Sequence, residues 1–189
     1  MDPEKRVTPD AHPVQLQPGA ARAHAGRGWL SGADPMQRPA RVEQYSREVL
    51  LDQPPQEVFD FCLRAQNFAA IMPGRMQVLG LSSDVGRPGG TYAFRWWLRN
   101  VVPVRWVAYV DSFEEGRSFS DVQVRGVFRY FHHTHACEPA DGGGTRYRDT
   151  IRFASVLGPR LDRTLVRAEL DRTFRARHRR MRALLDAAA

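Results

Sequence analysis

From Val42 to Asp52 the run of apolar and polar residues reads as a strand, closed by the turn-like Asp52-Gln53-Pro54-Pro55. The two prolines suit a first helical turn, where the missing N–H costs little. Val58, Phe61, Cys62 and Ala65 then recur at helical spacing, and the segment continues through Phe68 and Ile71 to Pro73-Gly74. This pattern predicts two short helices with a break near Asn67.

Beyond Pro73-Gly74 the chain reads as a series of strands: Met76 to Leu81, Thr91 to Leu98, Val104 to Phe113, Ser118 to Val124, Phe128 to Cys137 and Thr145 to Phe153. Glycine and proline punctuate them, at Pro88-Gly89-Gly90, at Glu114 to Arg117, and at the glycine-rich hairpin link Glu138 to Gly144. Consecutive strands with short links predict an antiparallel meander. Leu157-Gly158-Pro159 breaks the chain before a helix predicted from about Arg160 to Leu185. On that helix Val166, Leu170, Phe174, Arg177, Met181 and Leu185 share one face at spacings of three and four. A helix this amphipathic needs a sheet to lie on, and a twisted antiparallel sheet supplies a concave face. The predicted fold is α+β: a curved antiparallel sheet wrapped around a long C-terminal helix, with two short helices after the first strand.

Composition sets the domain count. With 189 residues, 42% hydrophobic and 26% charged, the chain has material for one core. Residues 41–189 form the predicted domain. Residues 1–40 hold six of the thirteen prolines and a single aromatic, Trp29, so they are expected to be a disordered tail. Met36 precedes the first patterned segment and is the expected natural start, with residues 1–35 a non-native extension. No apolar run approaches the ~18 residues a membrane span requires, and no apolar leader is visible. Cys62 and Cys137 each sit in an apolar pattern and read as buried free thiols, which fits a cytoplasmic protein.

The formal net charge is +7, almost all of it arginine, since Lys5 is the only lysine. Arg163, Arg167, Arg172, Arg175, Arg179, Arg180 and Arg182 occupy the outer faces of the last helix. They raise the possibility of a phosphate-binding surface. Asp162, Glu169 and Asp171 are interleaved with them, some at helical salt-bridge spacing. A solvated, ion-paired face is therefore the expectation, without nucleic acid as a partner.

Candidate chemistry concentrates in the last hairpin. His133 and His135 are two apart on a strand and share a face. A hairpin closed symmetrically about Asp141 sets Cys137 opposite Thr145, His135 opposite Tyr147, and His133 opposite Asp149. His133, His135, Tyr147 and Asp149 would then form a polar cluster able to orient a ligand oxygen or shuttle a proton, with His133 and Asp149 as the acid–base pair. The ordinary alternative is a hydrogen-bonded cluster that only steadies the hairpin. His133-x-His135 with Asp149 also has the ligand types of a zinc site, but such pairs arise often by chance, and no metal or cofactor is expected. No nucleophile elbow, P-loop or dinucleotide-binding glycine pattern occurs. Among the dense aromatics, Phe94, Trp96 and Trp106 are the candidates for lining a pocket.

Several short stretches carry a family likeness. Pro103-Val104-Arg105-Trp106, Phe119-Ser120-Asp121-Val122-Gln123 with Gly126-Val127-Phe128, and Phe131-x-His133-x-His135 are three. Gly143-Gly144-Thr145 with Asp149, Leu157-Gly158-Pro159, and Phe174-x-x-Arg177-His178 complete the set. Their order and spacing resemble the helix-grip superfamily (START, or SRPBCC), which includes polyketide cyclase/dehydrase-like and lipid-transfer proteins. Val127 departs from the family's usual proline, and Phe131 from its tryptophan. The resemblance implies a cavity between sheet and helix that takes one hydrophobic small molecule, such as a polyketide, quinone or lipid. Its walls would be Phe61, Phe94, Trp96, Trp106, Phe131, Val166, Leu170 and Phe174, with His133, His135, Tyr147 and Asp149 as the polar set. Binding or transport is the leading reading, and a cyclase or dehydratase using His133 with Asp149 is the second. A structural or nucleic-acid-associated module using the basic helix is the third. The sequence is silent on oligomeric state.

Overall fold

A computed structural model describes residues 37–81, 89–98 and 100–187. The expectations for residues 1–36 lie outside the described residues. Seven strands form a single antiparallel sheet: β1 (Glu43–Leu51), β2 (Met76–Leu81), β3 (Thr91–Leu98), β4 (Val102–Glu114), β5 (Ser118–Arg125), β6 (Phe128–Pro139) and β7 (Thr145–Ser155). Their order is β1-β7-β6-β5-β4-β3-β2, so β2 to β7 run as a meander and β1 closes on β7. Two short helices, α1 (Pro55–Leu63) and α2 (Ala65–Ile71), follow β1. The last helix, α3, starts as an α-turn (Pro159–Leu161), widens into a π segment (Asp162–Val166) and continues as α-helix over Arg167–Asp186. This is the predicted α+β helix-grip architecture.

The break between the short helices is at Arg64, in extended conformation, and not near Asn67. Asn67 instead sits inside α2, and its side-chain amide donates at 3.1 Å to the Phe61 carbonyl, which also accepts the Arg64 backbone N–H at the end of α1. At the start of α3, buried Asp162 accepts hydrogen bonds from the backbone N–H and the hydroxyl of Ser155, which fixes the helix against the end of β7.

The core has two parts. One joins Tyr45, Tyr92, Phe94, Trp106, Phe131, Ile151, Phe153, Leu170 and Phe174 between the sheet and the first half of α3. The other joins Leu51, Val58, Phe59, Leu63, Phe119, Cys137, Tyr147, Met181 and Leu185 beneath α1 and the second half of α3. The expected apolar stripe of α3 therefore spans both. Arg177 lies on the same stripe, 2% exposed, between the two clusters.

Candidate functional site

Register on β6 and β7 builds the site. The observed partners are Cys137 with Tyr147, His135 with Asp149, and His133 with Ile151. The hairpin is thus two residues out from closure about Asp141, because the strands extend to a Pro139–Thr145 pair and leave a shorter link. A shift of two preserves the faces, whereas a shift of one would have reversed them. The expected side chains still meet, on diagonals instead of directly across: His133 Nε2 lies 2.8 Å from Asp149 Oδ1, and His135 Nδ1 lies 2.7 Å from the Tyr147 hydroxyl.

Asp149 is the hub and is fully buried. Tyr147 donates its O–H to Oδ1 at 2.8 Å, and His178 Nε2 lies 2.7 Å from Oδ2. An Arg177 guanidinium nitrogen stands 3.6 Å from Oδ1 and donates to the Tyr147 oxygen at 3.2 Å. Burial alone would raise the Asp149 pKa. The positive charge of Arg177 and the hydrogen bonds from His133 and His135 outweigh it and hold the carboxyl well below its ordinary value. Burial, with His135 adding to it, pushes His133 down to about 4 against the pull of Asp149, so the ring is neutral near pH 7. Tyr147 is driven well above its usual value, first by burial and then by Asp149, and stays protonated. Arg177 keeps its charge, because the carboxylates of Asp149 and Asp121 outweigh the effect of burial.

Above this buried hub, between the sheet and α3, lies a cleft of about 120 Å³. Phe94, Trp96, Trp106, Phe131, Val166, Leu170 and Phe174 stand on its wall, as do His133 and His135. Tyr147 and Asp149 lie behind the histidines and not on the wall. Phe61 is also away from it, packed with Phe113 and Val49 around the second core cluster, while its neighbour Cys62 faces the cleft. The reason is helical phase: Val58, Phe59 and Leu63 are the residues of α1 that turn inward. Burial pushes the Cys62 thiol up to about 12, so it is no nucleophile at neutral pH.

Three site residues were absent from the expected set: Asp121, Arg177 and His178. Asp121 is on the cleft wall, its Oδ2 3.4 Å from His135 Nε2. A signal for Arg177 was present, since it is a charged residue on an otherwise apolar helical face, and all three lie in the short stretches that carried the family likeness.

No family model matches the chain, and no curated protein does. Solved structures do. Zhui aromatase/cyclase from Streptomyces sp. R1128 superposes with a TM-score of 0.62 at 12% identity, covering 77% of this chain and 94% of that one. TTHA0849 from Thermus thermophilus gives 0.60 at 20% identity, covering 78% and 99%. Ara h 8.0201 gives 0.56 at 12% identity, covering 78% and 99%. The chain has the helix-grip fold of the SRPBCC proteins. At these identities the likeness establishes the fold alone. The helix-grip frame explains why the polar hub and the apolar wall adjoin: β6 supplies residues to both, and α3 covers both.

Proposed function

We propose that the protein binds or carries one hydrophobic small molecule in the cleft between the sheet and α3. The observation that carries this reading is the composition of the wall, which is mainly aromatic and aliphatic, with a polar patch at Asp121, His133, His135 and Arg177 and two further polar side chains, Glu169 and Thr173, from α3. An apolar body would lie against Trp96, Trp106, Phe131 and Leu170, and a hydroxyl or carbonyl oxygen would meet the histidines. A volume of about 120 Å³ is close to the ~150 Å³ that accommodates benzene in an apolar cavity, so the cleft as shaped takes a group about one ring in size. A larger ligand requires wall side chains to move. The fold shared with an aromatase/cyclase supports the reading without fixing the ligand.

Native mass spectrometry of protein from its own host tests the proposal through a co-purified small molecule. Titration with a naphthol, read by quenching of Trp96 and Trp106, tests it independently. An empty protein together with no quenching would sink it. The second reading is a cyclase or dehydratase. It is favoured by one feature, the His133 ring held by Asp149 at Nε2 with Nδ1 turned toward Asp121 and the cleft. Turnover of a poly-ketone substrate that disappears in His133→Gln separates it from simple binding.

A further inference from the structure

Asp121 on β5 and His133 on β6 are direct cross-strand partners, and His135 is two residues along on the same face. Asp121 Oδ2 lies 3.4 Å from His135 Nε2 and 4.0 Å from His133 Nδ1. The donor atoms of the three side chains all lie within 4.8 Å of one another. Two ligands held at ~2.0–2.1 Å on a tetrahedral ion stand ~3.3–3.4 Å apart, so the Asp121–His135 pair already has the spacing of a coordination shell and the 4.0 Å Asp121–His133 pair needs to close by a few tenths of an ångström to reach it.

Hydrogen placement strengthens the case. Ionised Asp149 only accepts, so His133 must donate to it from Nε2, and the neutral ring then has a bare lone pair at Nδ1. Tyr147 has given its own hydrogen to Asp149, so His135 Nδ1 must carry a hydrogen, shared between the Tyr147 oxygen at 2.7 Å and Asp149 Oδ1 at 3.2 Å. The 3.4 Å approach of Arg177 to Nδ1 is too long to compete. With the ring neutral, the second lone pair is at His135 Nε2. With both rings neutral, the two nitrogens face the Asp121 carboxylate, and three acceptors are turned on one another. Such an arrangement is relieved by a cation placed at their centre.

The outer shell has the same form. Histidines that bind a metal usually donate their other ring N–H to a carboxylate or similar acceptor, which sets the tautomer and the ring orientation. Here His133 is held from behind by Asp149, and His135 by Tyr147 with Asp149 at 3.2 Å. The rings are further fixed by packing, Phe119 stacked on His135 at 4.2 Å and Phe174 edge-on to His133 at 5.3 Å. Asp149 itself is not a ligand, since its oxygens already receive His133, Tyr147 and His178.

We propose that Asp121, His133 and His135 form a binding site for a divalent first-row metal ion of the zinc type, with one coordination position open to the cleft. All three residues lie on the cleft wall, so an ion there would present that position to a ligand oxygen. The site goes beyond the hydrophobic-ligand reading and does not depend on it, because it is defined by the metal alone.

Full-length protein stripped with a chelator should take up a single equivalent of zinc in calorimetry without any organic ligand. Cobalt(II) should develop the visible bands of a low-coordinate nitrogen–oxygen site. Asp121→Asn should weaken binding by at least the ~10- to 100-fold that loss of an outer-shell partner costs, and His135→Gln should do the same. His132→Gln is the control: that ring pairs with Asp111 at 3.0 Å, away from the cleft, and its loss should leave affinity unchanged. Asp121 is near-isosteric with asparagine and stands at the cleft, so it decides the matter if His135→Gln fails to fold. Absence of zinc uptake, or uptake with the same affinity in Asp121→Asn, overturns the proposal.

Discussion

Asp149 concentrates more of the molecule's polar interactions than any other buried acid among the described residues, and its removal should be felt accordingly. In Asp149→Asn the Arg177 guanidinium would lie buried without its counter-charge, and His133 and His178 would each lose a carboxylate acceptor. Breaking a buried pair from one side costs about 3–5 kcal/mol, so urea unfolding should show a loss of that order. A loss under about 1 kcal/mol would mean that Arg177 is solvated in a way the burial does not suggest. The same hub makes stability depend on pH. His133 titrates lower in the folded protein, about 4, than the 6.5 of a free ring. The unfolded chain therefore binds its proton first as pH falls. In chelator-treated protein the contribution is fully present above about pH 6.5 and is lost progressively down to about 4, a drop of up to roughly 3 kcal/mol. Asp149 moves in the same direction at still lower pH, since its folded value is also depressed. Denaturation midpoints that stay flat from neutral pH to about 4 would contradict this linkage.

At the scale of elements, the hairpin link between β6 and β7 governs where the site residues land. Gly144 passes so close to the end of β1 that a Cβ there would sit 2.4 Å from the Leu51 carbonyl oxygen. Backbone cannot yield as a flexible side chain can, so Gly144→Ala should cost about 1–3 kcal/mol and lower the melting temperature by several degrees. Gly80 has nothing within 4 Å of the same added atom, and Gly80→Ala should stay within about 0.5 kcal/mol. Equal melting shifts for the two would remove the steric account. The hairpin also shows what periodicity conveys and what it leaves open. Alternation fixed the face of His133, His135, Tyr147 and Asp149, because a face depends only on parity. It left the register open, because closures two residues apart bury the same set, and only the link conformation at Asp141–Gly143 distinguishes them. The same limit applies to α1, where the spacing of Val58, Phe61 and Cys62 marked a helix but not which of Phe59 or Phe61 faces inward. Asp121 and His178 escaped the expected set because the register of β5 on β6 and the seating of α3 over β7 are set by tertiary packing, which no local pattern encodes.

Across the whole molecule, four arginines of α3 fasten the helix to its surroundings and two more pair along it. Arg163 pairs with Glu43 at 2.8 Å, while Arg172 and Arg175 pair with Glu169 and Asp171 on the helix itself. Arg167 and Arg182 each donate to carbonyls of β1 at 2.7 Å, those of Gln44 and Leu50, and Arg180 donates to the Met72 carbonyl. A guanidinium already bound to a carbonyl has fewer N–H groups for phosphate, so saturable binding to duplex DNA is not expected at physiological salt. Tight binding that falls steeply with salt would reverse that view. No helix among the described residues is long and apolar enough to cross a membrane. What the arginine clamps do instead is hold one wall of the cleft against the sheet, and the cleft's other rim is the edge strand β2. Met76 on that rim is half-buried and lines the cleft. Met76 also packs against the first core cluster, so an arginine there would place a charge on the apolar wall at some cost in packing. Met76→Arg should therefore cost about 1 kcal/mol of unfolding free energy, leaving the protein folded, and weaken naphthol binding at least tenfold, about 1.4 kcal/mol. Zinc affinity at Asp121, His133 and His135 should be nearly unchanged in the same variant. If organic-ligand binding is also unchanged, the apolar ligand does not enter between β2 and α3, and the cleft has been assigned the wrong occupant.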